Sequence, residues 1–474
     1  MVLDSEIIPF DHLAGTDYYR SQDKLPPIEL KRLAGYRDRW RFYFGLHWKT
    51  GVQRETGEPQ LVFNFTRSIA NKIVFFLMGK SFTFKLPEET EISVMPVLQK
   101  IWETDNDKDR LGIEMALQGV ITGDAFLMPV WVPDDEKEEE TTWGGKIRIL
   151  ALESDTVFPV YDPHDSTKML ACQIMYKVQE NANKNVKPYS YSVLITPEEI
   201  ITYIDDQIVD VQENIYEEIP VVHIKNMPKP GSTYGESDIE DVIPLNREFN
   251  EKATDLSDII NYHAAPITII KGAKARQLEK GARKVWSGLP KDADVFNLNL
   301  QADLSQIMKY LDQVKAGMRM VVGVPHFTMG EDTAISNTPG VTLDIMYQGL
   351  TNRNNVKKNH YGRGIEKLNT LMMKMLEVHG LYDFSVFEAD IRYHNHINFP
   401  DPIPRDPKEK LTYYIDKMKA QLESRRGVLR ELGEENIEHK LEEIDRELIE
   451  KAELIQHTGY NPDTGYTTAP FMGE

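Results

Sequence analysis

Cysteine is nearly absent from this chain: Cys172 is the single one in 474 residues. One thiol cannot form an intramolecular disulfide, and it cannot build a cysteine-rich zinc site. The chain also has fewer basic than acidic residues: 55 lysines and arginines against 75 acidic residues give a net charge of -20. That balance argues against a conventional nucleic-acid-binding protein, whose basic surface neutralises phosphate. The most apolar run, Ile73 to Met78, is too short to span a bilayer, so we expect no membrane contact.

Short catalytic motifs are missing as well. The chain has no GxxxxGK[ST] phosphate loop, no GxGxxG fingerprint, no HExxH and no GxSxG elbow. His394 and His396 alternate on a predicted strand, where they would point to one face and could hold a metal. No further ligands cluster with them, so an ordinary strand is the simpler interpretation. The sequence therefore favours a structural or mechanical role without a cofactor, and an enzyme with a His394/His396 metal site is the alternative.

The first half of the chain predicts an α+β domain behind a peripheral arm of about 30 residues. Ile28 to Phe44 is helix-compatible and alternates arginines with aromatic rings, which could stack on nucleotides or, more simply, pack against neighbouring elements. Further helices precede a series of strand-like runs, which are Ala125 to Val132, Lys146 to Leu150, Thr156 to Tyr161, Leu170 to Val178, Tyr189 to Ile195, Ile200 to Ile204 and Val221 to Ile224. This order is typical of a meandering antiparallel sheet.

Two amphipathic helices follow. Ser237 can cap the first helix, with acidic residues in its first turn. Its apolar stripe recurs at three or four residues and consists of Leu245, Phe249, Ala253, Leu256 and Ile260. The second helix has a stricter seam, made of Leu304, Ile307, Leu311, Val314, Met318 and Val321. Such seams pack against another helix.

Between the two helices lies a compact insert, and after them a polar loop. The insert predicts a strand at Ile267 to Ile270, a basic helical segment, and a second strand at Val295 to Leu300. The loop from His326 to Gly340 is polar and rich in glycine and proline.

The last third of the chain is mainly helical. Val341 to Leu376 predicts one long helix, which Gly349, Gly362 and Gly364 weaken enough for a kink. A proline-rich connector then leads to helices of strongly acidic composition, and the tail beyond His457 is predicted to be mobile.

The succession of these motifs resembles the portal proteins of tailed bacteriophages, in the branch found in long-tailed phages of Gram-positive hosts. The resemblance covers about Tyr36 to Lys451. Five stretches carry it: Asn64 to Phe84, which ends in Leu-Met-Gly-Lys-Ser-Phe; Gly123 to Phe126; Tyr234 to Glu240; Gly323 to Pro325 with Thr338 to Leu343; and Phe399-Pro400 with the helices that follow. Each motif is weak alone, whereas their order and spacing together are specific.

The resemblance implies a portal fold and a ring, typically of twelve subunits, around a DNA channel. The regions would be an N-terminal arm at 1–30, an α/β wing at 31–236, stem helices at 237–263 and 303–325, a strand-helix-strand clip at 264–302, a tunnel loop at 326–340, a long kinked helix with the wing return at 341–400, a helical crown at 401–456 and a C-terminal tail at 457–474. A channel for DNA must not bind it tightly, and an acidic chain is compatible with that need.

The implied function is a non-enzymatic conduit at one capsid vertex of the virion, assembled in the host cytoplasm. Double-stranded viral DNA would pass through the ring during packaging and ejection. The implied partners are the large subunit of terminase, a head-tail connector or adaptor, the major capsid protein and scaffolding proteins. Another phage head or connector protein with a similar order of elements is the alternative.

Three sets of residues would carry these roles. Thr333, Ser336, Asn337 and Thr338 would face DNA in the tunnel loop. A basic clip docking surface would consist of Lys271, Lys274, Arg276, Lys280, Arg283 and Lys284, unless it is an exposed helix face without a role. Stem packing would rest on Phe249, Leu256, Ile260, Leu304, Leu311 and Met318.

Overall fold

The structure is a computed structural model that describes residues 5–7, 26–48, 60–134, 143–180, 189–205, 207–264, 268–271, 294–297, 304–326, 340–403, 407–432, 434, 437–458, 460–461 and 466–467. The chain divides into two compact units, Met1–Pro402 and Ile403–Glu474. Helices and antiparallel sheets are both present in the first unit, which confirms the α+β class.

Four helices come first in the larger unit. They are α1 (Pro27–Tyr43), α2 (Phe65–Met78), α3 (Glu88–Gln99) and α4 (Lys108–Thr122), with a π-helical segment at Lys100–Asp105. The Asn64 side chain accepts a hydrogen bond from the Arg67 amide and caps α2, and Asp107 caps α4 in the same way. Gly123 ends α4 with a φ of 100°, a left-handed conformation that glycine adopts without a steric penalty.

The strands form two main sheets rather than the single meander that the sequence predicts. Strands β3 (Asp124–Pro133), β4 (Gly145–Leu152) and β10 (Val222–Lys225) form an antiparallel sheet in the order β10-β3-β4. The second sheet contains β1 (Ser5–Ile7), β5 (Val157–Tyr161), β6 (Met169–Glu180), β7 (Tyr189–Ile195), β8 (Glu199–Ile204) and β9 (Gln207–Glu213). The last predicted strand therefore leaves the meander and pairs with the first. The predicted strands do not include β9, whose residues are all exposed.

The helix-insert-helix stretch has the predicted order. Helix α5 spans Val242–Ala264 and α6 spans Leu304–Val322. Between them, strands β11 (Thr268–Lys271) and β12 (Asp294–Asn297) pair in antiparallel register, while the predicted basic helical segment lies outside the described residues. The prediction that Ser237 caps this helix is wrong: the helix begins at Val242, and the Ser237 hydroxyl instead accepts a hydrogen bond from the Ile239 amide.

Helix α7 is continuous over 39 residues, Gly340–Val378, and the predicted kink stays a prediction. The glycines in it lie at close contacts: a Cβ at Gly349 would lie 3.4 Å from the Gly323 Cα, and one at Gly362 would lie 3.4 Å from the Phe399 ring. Beyond a 3-10 turn at Phe384–Val386, strand β13 (His396–Asn398) pairs with β2 (Thr83–Lys85). The prediction that His394 and His396 share a strand is wrong, because His394 lies between the turn at 391–393 and β13.

Two apolar clusters form the core of the larger unit. The main cluster joins α2, α4 and α7 and continues into the adjoining ends of α5 and α6 through Phe249, Leu311 and Met318. A smaller cluster between the two sheets includes Phe126, Val157 and Cys172. None of the helices described has an apolar stretch long enough to pass through a lipid bilayer.

The second unit is helical, as predicted. Helices α8 (Pro407–Lys419), α9 (Arg425–Leu432) and α10 (Ile437–Thr458) follow one another. The tail, predicted to be mobile, contains a paired hairpin of strands β14 (Tyr460–Asn461) and β15 (Tyr466–Thr467).

Candidate functional site

Two of the motif stretches meet between the start of β3 and the start of α5. The segment at Gly123–Asp124 enters β3, and the segment at 234–240 leads into α5. The Gly235 amide donates to the Asp124 Oδ1 at 2.7 Å, and the Asn226 amide donates to the Gly123 carbonyl at 2.9 Å. A Cβ on Gly123 would lie 2.6 Å from the Gly235 carbonyl oxygen, so both positions require glycine. We name this region the β3-α5 junction, made of residues 119–126, 223–241 and 349–361.

The first buried charge of the junction is Asp124. Its carboxylate accepts hydrogen bonds from the Tyr36 hydroxyl at 2.5 Å, and its other oxygen lies 2.7 Å from the His223 Nε2. Burial raises the pKa of Asp124, but the hydrogen bonds and charge of His223, with Tyr36 and the Gly235 amide, outweigh burial and hold that pKa below the ordinary value. Asp124 thus joins α1, β3, β10 and the loop before α5 as an ionised carboxylate.

The second buried charge is Asp238, four residues before α5 begins. Arg353 Nε lies 2.6 Å from its Oδ1, and the Lys357 ammonium and the Asn226 side chain bind its Oδ2. The Asp238 side chain is fully buried and that of Lys357 nearly so. Burial raises the pKa of Asp238, but Lys357 and Arg353 outweigh burial and lower it. The carboxylate is therefore ionised and paired with two cations from α7.

One stripe of α7 faces this junction. Arg353, Lys357 and Tyr361 follow one another at four-residue intervals, which places them on one side of the helix. The Tyr361 hydroxyl donates to the Asn226 Oδ1 at 3.1 Å, so Asn226 connects Tyr361 to Asp238. The sequence predicts a kinked helix here, whereas the structure keeps α7 helical and buries one side of this stretch, at Asn354, Lys357 and Tyr361.

Helix α1 closes the junction from the other side. The Arg32 guanidinium stacks 4.3 Å from the Tyr234 ring centroid and 4.9 Å from that of Phe158, and it donates to the Ser154 carbonyl at 2.8 Å. Its Nε also pairs with Glu29 at 2.6 Å. For Arg32 and the buried Tyr36, the interpretation as packing groups is confirmed in place of nucleotide stacking.

Helix α5 is joined to the chain before α2 by a polar stripe. Asn246, Asn250 and Thr254 are buried at four-residue intervals. The Asn246 side chain accepts from the Thr66 amide at 3.0 Å and donates to the Phe63 carbonyl at 2.8 Å. Asn250 accepts from the Phe63 amide at 2.9 Å. These bonds hold α5 against Phe63 and Thr66.

The six residues predicted for stem packing differ in how deeply they are buried. Phe249, Leu311 and Met318 are buried, and Phe249 packs edge-on against the Phe65 ring at 4.9 Å. Leu256 and Leu304 are half-buried, and Ile260 is 49% exposed. Packing between α5 and α6 is therefore tight near Phe249 and Met318 and looser toward β11 and β12.

Most of the residues predicted for the clip surface and the tunnel loop lie outside the described part of the chain. Lys271 is described, and it lies exposed at the end of β11. The other five clip residues, Lys274, Arg276, Lys280, Arg283 and Lys284, and the tunnel-loop set of Thr333, Ser336, Asn337 and Thr338, fall in residues 272–293 and 327–339.

The alternative metal site has no support in the described geometry. His396 Nδ1 lies 2.7 Å from the Glu366 Oε1, and within the described ranges no group of three or more histidine, cysteine or acidic residues could hold a metal ion. Cys172 is buried, and burial raises the pKa of its thiol to about 12, so it is a core residue.

Sequence reasoning missed the junction charges as a group. The motifs that contain Asp124 and Asp238 were identified, but Asp238 was interpreted as a first-turn acid of α5. Lys357, 119 residues further along the chain, lies in the middle of the predicted long helix. A pairing between positions so far apart leaves no local pattern to detect.

Comparison with known proteins identifies the class of this fold. A family model described as "Phage portal protein, SPP1 Gp6-like" matches residues 54–454. The match spans most of the chain, which is therefore a structural protein of the phage virion. The chain belongs to the phage portal protein family.

Searches among curated proteins and solved structures complete the comparison. No curated protein matches. One similar solved structure is described as "Neck of empty GTA particle computed with C6 symmetry", with 13% identity and a TM-score of 0.47 over 77% of this chain and 89% of that chain. Another, "Virion of native gene transfer agent (GTA) particle", has 12% identity and a TM-score of 0.39 over 75% of this chain and 84% of that chain.

Proposed function

We propose that copies of this chain assemble head to tail into a ring at one capsid vertex, and that double-stranded DNA passes through the ring during packaging and ejection. Membership of the portal family over residues 54–454 carries the proposal. Residues 237–263 and 303–325 are the stem helices, 264–302 the clip, 326–340 the tunnel loop and 401–456 the crown. Twelve copies are the number that the resemblance to portal proteins implies.

Exposed apolar side chains on the stem support lateral contact between copies. On α6, Met308 is 59% exposed and Met320 is 81% exposed, and Ile260 of α5 is also exposed. Burying apolar area at a repeated interface is favourable by about 25 cal/mol per Å². Identical head-to-tail contacts close into a ring when the rotation between copies suits.

The net charge of -20 suits a channel that lets DNA slide. Each phosphate that a protein neutralises adds salt-dependent affinity, which would slow passage. The tunnel loop supplies polar contacts instead, through Thr333, Ser336, Asn337 and Thr338. In a clip, the basic set that begins at Lys271 would meet an acidic docking partner, and the terminase large subunit and then the head-tail connector are the partners of this surface.

The test combines assembly with packaging. The mass of the purified protein and negative-stain images of it test whether rings form. The amount of DNA packaged into proheads tests the packaging function. Deletion of Thr333 to Thr338 is expected to leave rings intact and to lower DNA filling or retention, because the loop lies nearest the DNA. Deletion of residues 135–140, six residues in the acidic connection between β3 and β4, is the matched control and is expected to leave both unchanged.

Two outcomes would contradict the proposal. A chain that stays monomeric at every salt concentration would overturn the ring. Rings that assemble but whose loop deletion fills heads normally would overturn the loop assignment and favour another connector role.

A further inference from the structure

Both ends of the helical stem are fastened to the same stretch of α7. At the start of the stem, Asp238 binds Arg353 and Lys357. At its end, Gly323 follows α6 with a φ of 70°, and a Cβ there would lie 3.0 Å from the Gly349 carbonyl carbon. The residues of α7 that make these contacts span 349–357, about two helical turns.

The ion pair between Asp238 and Lys357 is buried, so separating the two side chains is unfavourable. The Asp238 side chain is 0% exposed and that of Lys357 is 1% exposed. Separating them would leave an unpaired charge in the protein interior, which is far costlier than breaking a surface ion pair. Arg353 is 25% exposed and makes the outer half of the contact.

This contact lies close to the segment that connects α6 to α7. Residues 325–348 run from the end of α6 to the first turns of α7, and they include the whole tunnel loop. The segment is flanked by Gly323 and Gly349, which contact each other at the edge of the β3-α5 junction. A displacement of α7 that moved Lys357 would also move Asp238 and the start of α5.

We propose that Asp238, Arg353 and Lys357 form a coupling latch that makes α7 and the base of the stem move as one body. The proposal rests on the portal function proposed above, and it assigns these three as positioning residues for DNA passage. A purely structural ion pair would stabilise the fold without linking the two helices in function.

The deciding variant removes the charges together. Asp238→Asn alone leaves Lys357 buried without a counter-charge and is expected to misfold. Asp238→Asn combined with Lys357→Met removes both buried charges, because methionine has nearly the length of lysine and needs no partner. Arg353→Gln is a milder second variant, which leaves the Asp238–Lys357 pair intact. The control is Arg110→Met with Glu114→Gln, which removes an exposed ion pair on α4.

Two measurements separate the latch from a structural role. Native-state hydrogen exchange compares the amides of residues 242–250 in α5 with those of residues 353–361 in α7. In the wild type, the two segments are expected to open together with equal protection. In the double variant, α7 is expected to exchange roughly 2- to 30-fold faster than α5, the range that couplings of this kind span. DNA packaging is expected to fall in the double variant and, less strongly, in Arg353→Gln, while ring mass is unchanged.

The outcomes are separable. If the double variant folds, packages like the wild type and keeps equal exchange in both segments, the latch is overturned. If it does not fold, Arg353→Gln decides by the same two measurements. Hydrogen exchange needs no packaging, so it tests the latch even if wild-type rings fail to package, a result that would overturn the proposed function instead.

Discussion

Three buried aspartates show how partners decide the charge of a carboxyl group. Asp124 and Asp238 have pKa values below the ordinary 3.8, although burial opposes ionisation, because cations and donors surround them. Ionised Asp124 and Asp238 both stabilise the folded state at pH values above 3.8. This contribution to the free energy of unfolding is lost as the pH falls through their lowered pKa values in the folded state. Asp155 is different: burial, followed by the nearby Glu153, raises its pKa to about 7, and Arg32 only partly offsets this.

Replacing Asp155 by asparagine is expected to stabilise the protein at pH 8 and not at pH 4. Below the unfolded value of 3.8 the carboxyl is protonated in both states, and above about 7 it is ionised in both, at a cost to the folded one. A pKa raised from 3.8 to about 7 corresponds to at most roughly 4 kcal/mol in the free energy of unfolding. Chemical denaturation of wild type and Asp155→Asn at both pH values measures the difference.

The exposed Asp390 provides the control for this prediction. Asp390→Asn is expected to change stability by less than about 0.5 kcal/mol at either pH, as most surface substitutions do. An Asp155→Asn variant that gains no stability at pH 8 would show that the carboxyl is neither desolvated nor penalised in the folded state.

Among the elements, α5 shows what periodicity can and cannot predict. Its apolar stripe was predicted, and Phe249 and Ala253 are indeed buried. The second buried stripe, Asn246, Asn250 and Thr254, was missed because polar residues on a helix normally face solvent. These side chains are buried because residues 61–66 present backbone amides and carbonyls to them. Only the folded chain places those groups together.

Asn246→Leu is expected to destabilise the protein although it makes α5 more hydrophobic. Leucine has a similar size but cannot bond the buried Thr66 amide, and an unsatisfied buried group costs roughly 1–3 kcal/mol. Glu251→Ala, at an exposed position on the same helix, is the matched control. Midpoints of urea unfolding compare the two, and equal stability of Asn246→Leu and wild type would show that this stripe does not hold α5.

For the whole molecule, the order of elements was predictable and their long-range contacts were not. The α+β class, helices α5 and α6, the paired strands between them and the terminal helices follow from local patterns of polarity and turn residues. Two contacts depend on residues about 100 positions apart: the pairing of β10 with β3, and the ion pair between Asp238 and Lys357. Sequence periodicity reports which face of an element is buried, but it does not report what covers that face.

The division into two units predicts that the larger one folds without the second. Both buried apolar clusters lie within residues 42–397, inside the unit Met1–Pro402. A chain ending at Pro402 is therefore expected to keep its cooperative thermal transition within about 2 °C, because 1 kcal/mol shifts a domain of 150–250 residues by about 2–4 °C and a larger one by less. A chain ending at Glu388 is the contrast, because it also removes β13, which pairs with β2 and carries the buried Ile397. Its transition temperature is expected to fall well below that of the longer truncation, since burial of an isoleucine and a strand pairing are lost together.

Circular dichroism during heating measures both transitions. Equal losses in the two truncations would contradict the independence of the larger unit, since its stability would then depend on residues 403–474.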